Sequence, residues 1–348
     1  MSASLGGSNN LGPHIAVPMG DRSRVGEARR AAAELAGRHG FDAIQSGRLA
    51  VAVNELGNNL VGHARGGRLL VGACQLGDAI AIELISIDDG PGMADLQACL
   101  RDGYSTGGSA GQGLGAVSRL ADDFDVYTRP GQGTLILARF YREHDANGAP
   151  RRAGAGFDVG AVCVAAPGET VSGDGWNVAM HDNRADVVVA DGLGHGPDAA
   201  EAAAVALAVF AQARGSHPGR YLELAHGALR TTRGAAVTAA RADAGAQRIR
   251  YAGAGNVMAR VMSGIDDRTL LVQNGTAGLQ MRAVQEQEVE WPPHALLIVH
   301  SDGIQSRWRL DDPAVLQRDP SLVAAFVFWK FCRGRDDATV VVVRRAQR

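Results

Sequence analysis

The stretch YREHDANGAPRRAGAG, from Tyr141 to Gly156, breaks a chain that otherwise alternates between apolar strand-like runs and helical patterns. It is polar, glycine-containing and aperiodic, which is the composition of a linker and not of a packed element. It therefore divides the chain into two blocks, and 348 residues are enough for each to bury its own core. The division reads as a flexible N-terminus at 1–13, a first domain at 14–141, a linker at 142–155 and a second domain at 156–348. The blocks do not resemble each other, so this is not an internal repeat.

In the first block, strand patterns fall at Arg68 to Ala73, Ala79 to Asp88, Phe124 to Thr128 and Thr134 to Phe140, with helical patterns between Arg24 and His63. In the second, strands are expected at Asp158 to Ala165, Asp186 to Ala190, Ala235 to Ala240, Arg248 to Gly253, Val257 to Met262, Ala295 to His300 and Thr339 to Val343. Alanine-rich helices interrupt them at Pro197 to Arg214 and Gly219 to Arg230. Many strands around adjacent helices predict an α+β fold with layered sheets and helices.

Charge narrows the partners. A formal net charge of -2 without long runs of one sign gives no electrostatic reason to expect nucleic acid or a membrane surface. Four cysteines, Cys74, Cys99, Cys163 and Cys332, form no CxxC pair, so neither a zinc site nor a disulfide framework is indicated and a reducing compartment fits. The glycine-rich start and the lack of a long apolar run predict a soluble, cytoplasmic protein. Lys330 is the only lysine and lies in FVFWKF, which excludes a Walker A loop and a kinase built on a strand lysine. Any ATP site must be made another way.

Three motifs of the first block occur in a fixed order. In NELGNNLVGHA, Glu55 and Asn59 are four apart and share a helix face. Asn59 could bind Mg²⁺ through its amide oxygen, and Glu55 could orient or deprotonate an attacking hydroxyl; a solvated polar face would look the same. Asp88-Asp89-Gly90-Pro91-Gly92 then ends a strand with a carboxylate able to accept from an exocyclic amine such as that of adenine, although DDGPG is equally good turn chemistry. The loop Gly103 to Gly115 leads into a helical pattern and could bring backbone N–H groups to phosphates.

ExxxN, DxGxG, GxGLG and a closing Gly131-Gln132-Gly133-Thr134 together resemble the GHKL (Bergerat) ATP-binding α/β sandwich of histidine kinases, gyrase-type ATPases and anti-sigma-factor kinases. Within that superfamily the segment DGYSTGGSAGQGLGAVSRLADDF is most similar to the RsbT-type serine/threonine switch kinases. The resemblance implies Asn59 as Mg²⁺ ligand, Asp88 as adenine anchor and Thr134 near adenine. It implies Gly90, Gly92, Ser105, Thr106, Gly111, Gly113, Leu114 and Gly115 as ATP contacts, with Glu55 catalytic. No dimerisation helices with a phospho-accepting histidine precede these motifs, so histidine-kinase activity is not expected.

In the second block, acidic residues mark strand ends or turns in Ser172-Gly173-Asp174, Asp191-Gly192-Leu193-Gly194-His195-Gly196, Ser301-Asp302-Gly303 and Asp336-Asp337-Ala338-Thr339. An aspartate ending a buried strand beside glycine is reachable by solvent yet rigidly based, which suits a hard cation; four unrelated turn aspartates are the plainer alternative. VVVADGLGHGPDAAEAA, YAGAGN, VHSDGIQSRW and RDDATVVVV, in that order, resemble the SpoIIE and RsbX branch of the metal-dependent phosphatases related to protein phosphatase 2C. The resemblance implies an α-β-β-α sandwich with two Mn²⁺ or Mg²⁺ ions activating water and clamping phosphate. Asp191 would bridge the ions with the Gly192 carbonyl as a further ligand, Asp174 would serve one ion, and Asp302 with Asp336 the other. Asp336 is favoured over Asp337 as the last ligand of that pair, and His195, within GHGP, reads as a turn or supporting residue in preference to an acid or ligand. No arginine matches the one that contacts phosphate in eukaryotic relatives.

The two resemblances together imply a bifunctional switch protein, a serine/threonine kinase and phosphatase acting on STAS-domain or anti-anti-sigma regulators. An ATP-sensing docking module fused to a catalytic phosphatase is the alternative; Glu55 speaks against it, because nucleotide sensing needs no base.

Overall fold

A computed structural model describes residues 11–64, 66–76, 79–101, 113–144, 156–181 and 183–346. The chain forms two compact units, His14–Ala153 and Gly154–Arg348.

The first unit runs β1 (Ile15–Pro18), α1 (Arg22–Arg38), α2 (Ala43–His63), β2 (Arg68–Leu76), β3 (Ala79–Asp88), α3 (Leu96–Cys99), α4 (Gly113–Leu120), β4 (Asp123–Arg129) and β5 (Gly133–Tyr141). Its five strands form one sheet in the order β1-β2-β3-β5-β4, every pairing antiparallel. α1 buries Val25, Ala28, Ala32, Leu35 and Ala36, and α2 buries Leu49, Ala52, Val53, Leu56, Gly57 and Leu60. These spacings are apolar stripes of helical period. The helices approach closely because Gly57 carries no side chain: a Cβ there would fall 3.0 Å from Val25 Cγ1. α2 starts on a capping box, with Gln45 N–H donating to Asp42 Oδ1 at 2.8 Å and Asp42 N–H to Gln45 Oε1 at 2.9 Å. Inside the sheet, Arg139 is buried between Glu83 and Asp123, its Nε 2.6 Å from Glu83 Oε1 and its Nη1 2.8 Å from Asp123 Oδ2. Burial alone would raise the Glu83 carboxyl, but Arg139 and His14 hold it down to about 2.

The second unit contains β6 (Phe157–Val164), β7 (Asp174–His181), β8 (Arg184–Gly192), α5 (Pro197–Gln212), α6 (Pro218–Ala228), β9 (Ala235–Asp243), β10 (Arg248–Ala254), β11 (Met258–Met262), β12 (Asp267–Leu270), β13 (Gln287–Glu290), β14 (Leu296–His300), α7 (Pro320–Phe331) and β15 (Ala338–Arg345). They make two five-stranded sheets, β13-β10-β9-β8-β7 and β12-β11-β14-β15-β6. Side chains from both, among them Val187, Val189, Tyr251, Val299, Leu297 and Val341, form one buried core between them. α5 and α6 cover the outer face of the first sheet through Ala202, Ala206, Phe210, Tyr221 and Leu222. α7 packs on β6 and β15 of the second, and the backbone of Gly160 lies so close to Pro320 and Ser321 that a Cβ would overlap them. The result is an α-β-β-α sandwich, the layering expected from the sequence.

Several elements differ from expectation. The edge strands β1, β12 and β13, the strand β7 and the helix α7 were not anticipated. α7 is buried from Pro320 to Phe328, so it has no polar face and no period to read. No described helix is long and apolar enough to cross a membrane.

Candidate active sites

In the first unit α2 carries Glu55 and Asn59 half-buried, beside the stripe that enters the core. The start of α4 meets them: a Cβ added at Gly113 would fall 3.3 Å from Glu55 Oε2 and 3.5 Å from both amide atoms of Asn59. Glycine thus lets the first turn of a helix, where backbone N–H groups lack helical partners, approach a carboxylate and an amide together. Leu114 and Gly115 are buried in the same turn, Gly115 against the Leu100 carbonyl at 2.5 Å from where its Cβ would be.

Asp88 ends β3 directly opposite Thr134 on β5, so the two residues expected at adenine are register partners. Asp88 Oδ1 accepts the Gly90 N–H at 2.7 Å. Gly90 abuts the end of α2, where a Cβ would lie 3.1 Å from the His63 carbonyl. Gly92 takes φ +68, and a Cβ there would overlap the Arg129 carbonyl. Gly131 donates to the Pro91 carbonyl at 2.7 Å, and Met93 donates to Thr128 Oγ1 at 2.8 Å, itself 3.1 Å from Thr134 Oγ1. The DDGPG turn is therefore clamped between α2 and the β4–β5 hairpin. Ser105, Thr106 and Gly111 lie outside the described residues. The donor set suits a magnesium nucleotide: a hard amide oxygen, a carboxylate at a strand end and a glycine-lined helix start.

In the second unit Asp174 and Asp191 face each other as register partners on β7 and β8. Asp174 is 5% exposed, and neither of its carboxylate oxygens has a hydrogen-bond partner. Its N–H is held by Ser172 Oγ at 3.2 Å, and the Gly192 N–H donates to the Gly173 carbonyl at 3.0 Å. Gly192 and Gly303 both pass so near other backbone, Ala199 and the Asp337 carbonyl respectively, that a Cβ would overlap it.

From the other sheet, Asp302 follows β14, and its backbone N–H lies near the Asp191 carboxylate and favours its charged form. Asn256 Nδ2 donates to Asp302 Oδ2 at 2.6 Å. Asp336 Oδ1 accepts the Asp337 N–H at 3.0 Å, whereas the buried Asp337 holds the Ala166 N–H at 2.9 Å through Oδ1. Asp337 thus has a tethering contact, while the charge of Asp336 acts on both Asp191 and Asp302. His195, exposed on a turn between Gly194 and Gly196, has Nδ1 2.7 Å from Glu169 Oε1.

The electrostatics follow from this crowding. Burial pushes the Asp191 carboxyl up, and Asp174, Asp302 and Asp336 push it further. Burial likewise raises Asp174, reinforced by Asp337 and Asp302 and opposed by the Ser301 and Thr339 hydroxyls, which do not reach bonding geometry. Burial and Asp336 raise Asp302. Like charges brought together out of water favour protons or a multivalent cation, and an unpartnered buried carboxylate is the donor a divalent ion would complete. The residues fit such ions. Among the described residues no three acidic, histidine or cysteine side chains close on a single point as a ready-made shell, so carbonyls such as that of Gly192, and water, would supply the balance.

Asn256, in the YAGAGN motif, had been given no role; its contact with Asp302, 46 residues on, leaves no local pattern in the sequence. Asp337 was the less favoured of its pair, and its contact with Ala166, far off in sequence, is visible only in the fold.

Comparison with known proteins agrees with this division. Residues 20–140 match the family described as histidine kinase-like ATPase domain, and residues 181–346 match stage II sporulation protein E (SpoIIE). The serine/threonine-protein kinase RsbT of Bacillus subtilis (strain 168) is 34% identical over 113 residues, 32% of this chain and 84% of RsbT. A structure described as "The bacterial stressosome: a modular system that has been adapted to control secondary messenger signaling" is 29% identical with a TM-score of 0.51, covering 54% of this chain and 99% of that one. RsbX in complex with magnesium is 19% identical with a TM-score of 0.48, covering 56% of this chain and 98% of that one. The chain belongs to the RsbT family of serine/threonine kinases through its first unit, and its second unit carries a domain matched by the SpoIIE family over residues 181–346.

Proposed function

We propose that the chain is a two-activity switch, in which the first unit transfers the γ-phosphoryl group of ATP to a serine or threonine and the second removes phosphate from a regulator of the same pathway. The observation that carries the reading is that one chain holds two separate constellations: Glu55 and Asn59 at the glycine start of α4, and Asp174, Asp191, Asp302 and Asp336 at the paired ends of two sheets. Opposed activities in one chain raise the effective concentration of each near a shared target.

In the kinase half, Asn59 would hold Mg²⁺ on the nucleotide and the N–H groups at Gly113 to Gly115 would face its phosphates. Asp88 would accept from the adenine amine beside Thr134. Glu55 would take the proton from the target hydroxyl, since it lies on the same helix face as Asn59. In the phosphatase half, Asp174, Asp191, Asp302 and Asp336 would together hold two Mn²⁺ or Mg²⁺ ions. When bound, such ions lower the pKa of water and neutralise phosphate charge. Asn256 would keep Asp302 oriented, and Asp337 would tie its loop to Ala166.

The targets proposed are STAS-domain or anti-anti-sigma proteins. The likeness to RsbT and to a stressosome structure supports that choice, and no net basic charge competes with it. A direct test incubates the full chain with labelled ATP and a STAS-domain protein, then chases with unlabelled ATP and Mn²⁺. Label should appear on the STAS protein and then leave it, the first step lost in Asn59→Ala and the second in Asp191→Ala. Transfer unaffected by Asn59→Ala, or hydrolysis of p-nitrophenyl phosphate identical in wild type and Asp191→Ala, would refute the corresponding half.

A further inference from the structure

We propose that Arg333 is the phosphate-gripping residue of the second unit, an assignment that rests on the phosphatase reading above. The aspartate cluster supplies only negative groups, and a phosphate monoester brought to it needs a cationic donor on its open side.

Arg333 is placed there by backbone. Its N–H donates to the Gly303 carbonyl at 2.8 Å, Gln305 N–H donates to the Phe331 carbonyl at 2.9 Å, and Ile304 and Cys332 form an antiparallel bridge. These contacts stitch the segment after α7 to the segment that carries Asp302. Gly303 is held in turn against the Asp337 carbonyl. Arg333 therefore stands between Asp302, one residue from its own backbone partner, and Asp336, three residues on.

The side chain is exposed, and among the described residues it forms no ion pair. Other arginines near functional loops are engaged: Arg233, beside Gly194, pairs with Asp198 at 2.6 Å, and Arg260 pairs with Asp267. Arg333 is also the positive charge that offsets the upward push on Asp302. The buried, unpartnered oxygens of Asp174 mark the same cluster as built to take a ligand. An unengaged guanidinium beside an acid cluster can close a forked pair on phosphate oxygens once cations have neutralised the aspartates.

The test uses the full chain and inorganic phosphate as probe, with Arg333→Gln, Arg333→Lys and, as neighbours, Arg335→Gln and Arg233→Gln. Three quantities are measured: phosphate inhibition of p-nitrophenyl phosphate hydrolysis, the KM against kcat split, and Mn²⁺ affinity by calorimetry. Loss of a charge-assisted pair predicts a rise of about tenfold or more in the phosphate inhibition constant and in KM for Arg333→Gln. Partial recovery is expected in Arg333→Lys, with Mn²⁺ affinity kept. The assignment is overturned if Arg333→Gln leaves both constants near wild type, if Arg335→Gln or Arg233→Gln has the larger effect, or if Arg333→Gln loses Mn²⁺ binding. In each case wild-type hydrolysis lost in Asp191→Ala leaves the phosphatase reading standing. A wild type that binds neither Mn²⁺ nor phosphate refutes both.

Discussion

Replacing Asp174 by asparagine should stabilise the metal-free second unit while removing most of its response to Mn²⁺. Asp174 is 5% exposed with two unpartnered oxygens, and leaving a buried charge uncompensated costs about 3 to 5 kcal/mol. The amide keeps the burial of a polar group, at about 1 to 3 kcal/mol, and deletes the charge. The difference is a gain of about 2 kcal/mol, or roughly 4 to 8 °C in Tm for a unit of this size. The sign with pH follows from the direction of the shift. Burial raises the Asp174 carboxyl, so the folded state holds its proton more tightly than the unfolded chain. Metal-free stability therefore falls as pH climbs from the ordinary carboxylate value through the raised one. Wild type in chelator should lose stability between about pH 4 and 7, and Asp174→Asn should lose less. Mn²⁺ at a hundredfold its Kd should add about 2.7 kcal/mol to wild type and much less to the variant. The assay is thermal unfolding of the full chain in chelator and in Mn²⁺ at two pH values, the second unit being identified by its metal response. A variant less stable than wild type in chelator, with an undiminished Mn²⁺ shift, would show that Asp174 is no ligand and that its burial is otherwise compensated.

Other outcomes are expected from the same geometry. Glu55→Gln should keep nucleotide binding yet slow phosphoryl transfer by roughly 10² to 10⁴; equal loss of both, by equilibrium binding and single-turnover transfer, would make Glu55 a structural residue. Arg139→Met should cost about 3 to 5 kcal/mol in denaturant unfolding, because Glu83 then stays buried without its guanidinium, and an effect near zero would mean the pair is not formed. Since Glu83 is held down to about 2, its contribution is present above its ordinary 4.5 and lost as pH falls toward 2. Arg139→Met should accordingly flatten the acid limb of the first unit's stability curve. Gly192→Ala should cost about 1 to 3 kcal/mol, since the added methyl meets Ala199; a neutral result would show that α5 can move away.

The central strands were legible because β3 and β15 are buried on both faces and so appear as continuous apolar runs. β1 and β12 are short edge strands with little buried surface, and their composition does not separate them from loop. α7 was missed for the opposite reason, as a helix buried from Pro320 to Phe328 has no solvent-facing polar stripe along that length to set its period.

The amino-acid order alone determined the two-block division, the layered α+β class and the aspartate and asparagine positions proposed to carry the chemistry. It did so because acid-glycine turns at strand ends and i,i+4 polar pairs are local patterns. Only the tertiary structure decided that Asp88 and Thr134 are neighbours, that Gly113 meets Glu55 and Asn59, and that Arg333 stands beside Asp302. Those relations depend on strand register and backbone approach between residues tens of positions apart. No local preference encodes a distance between segments that meet only when sheets pair and helices pack.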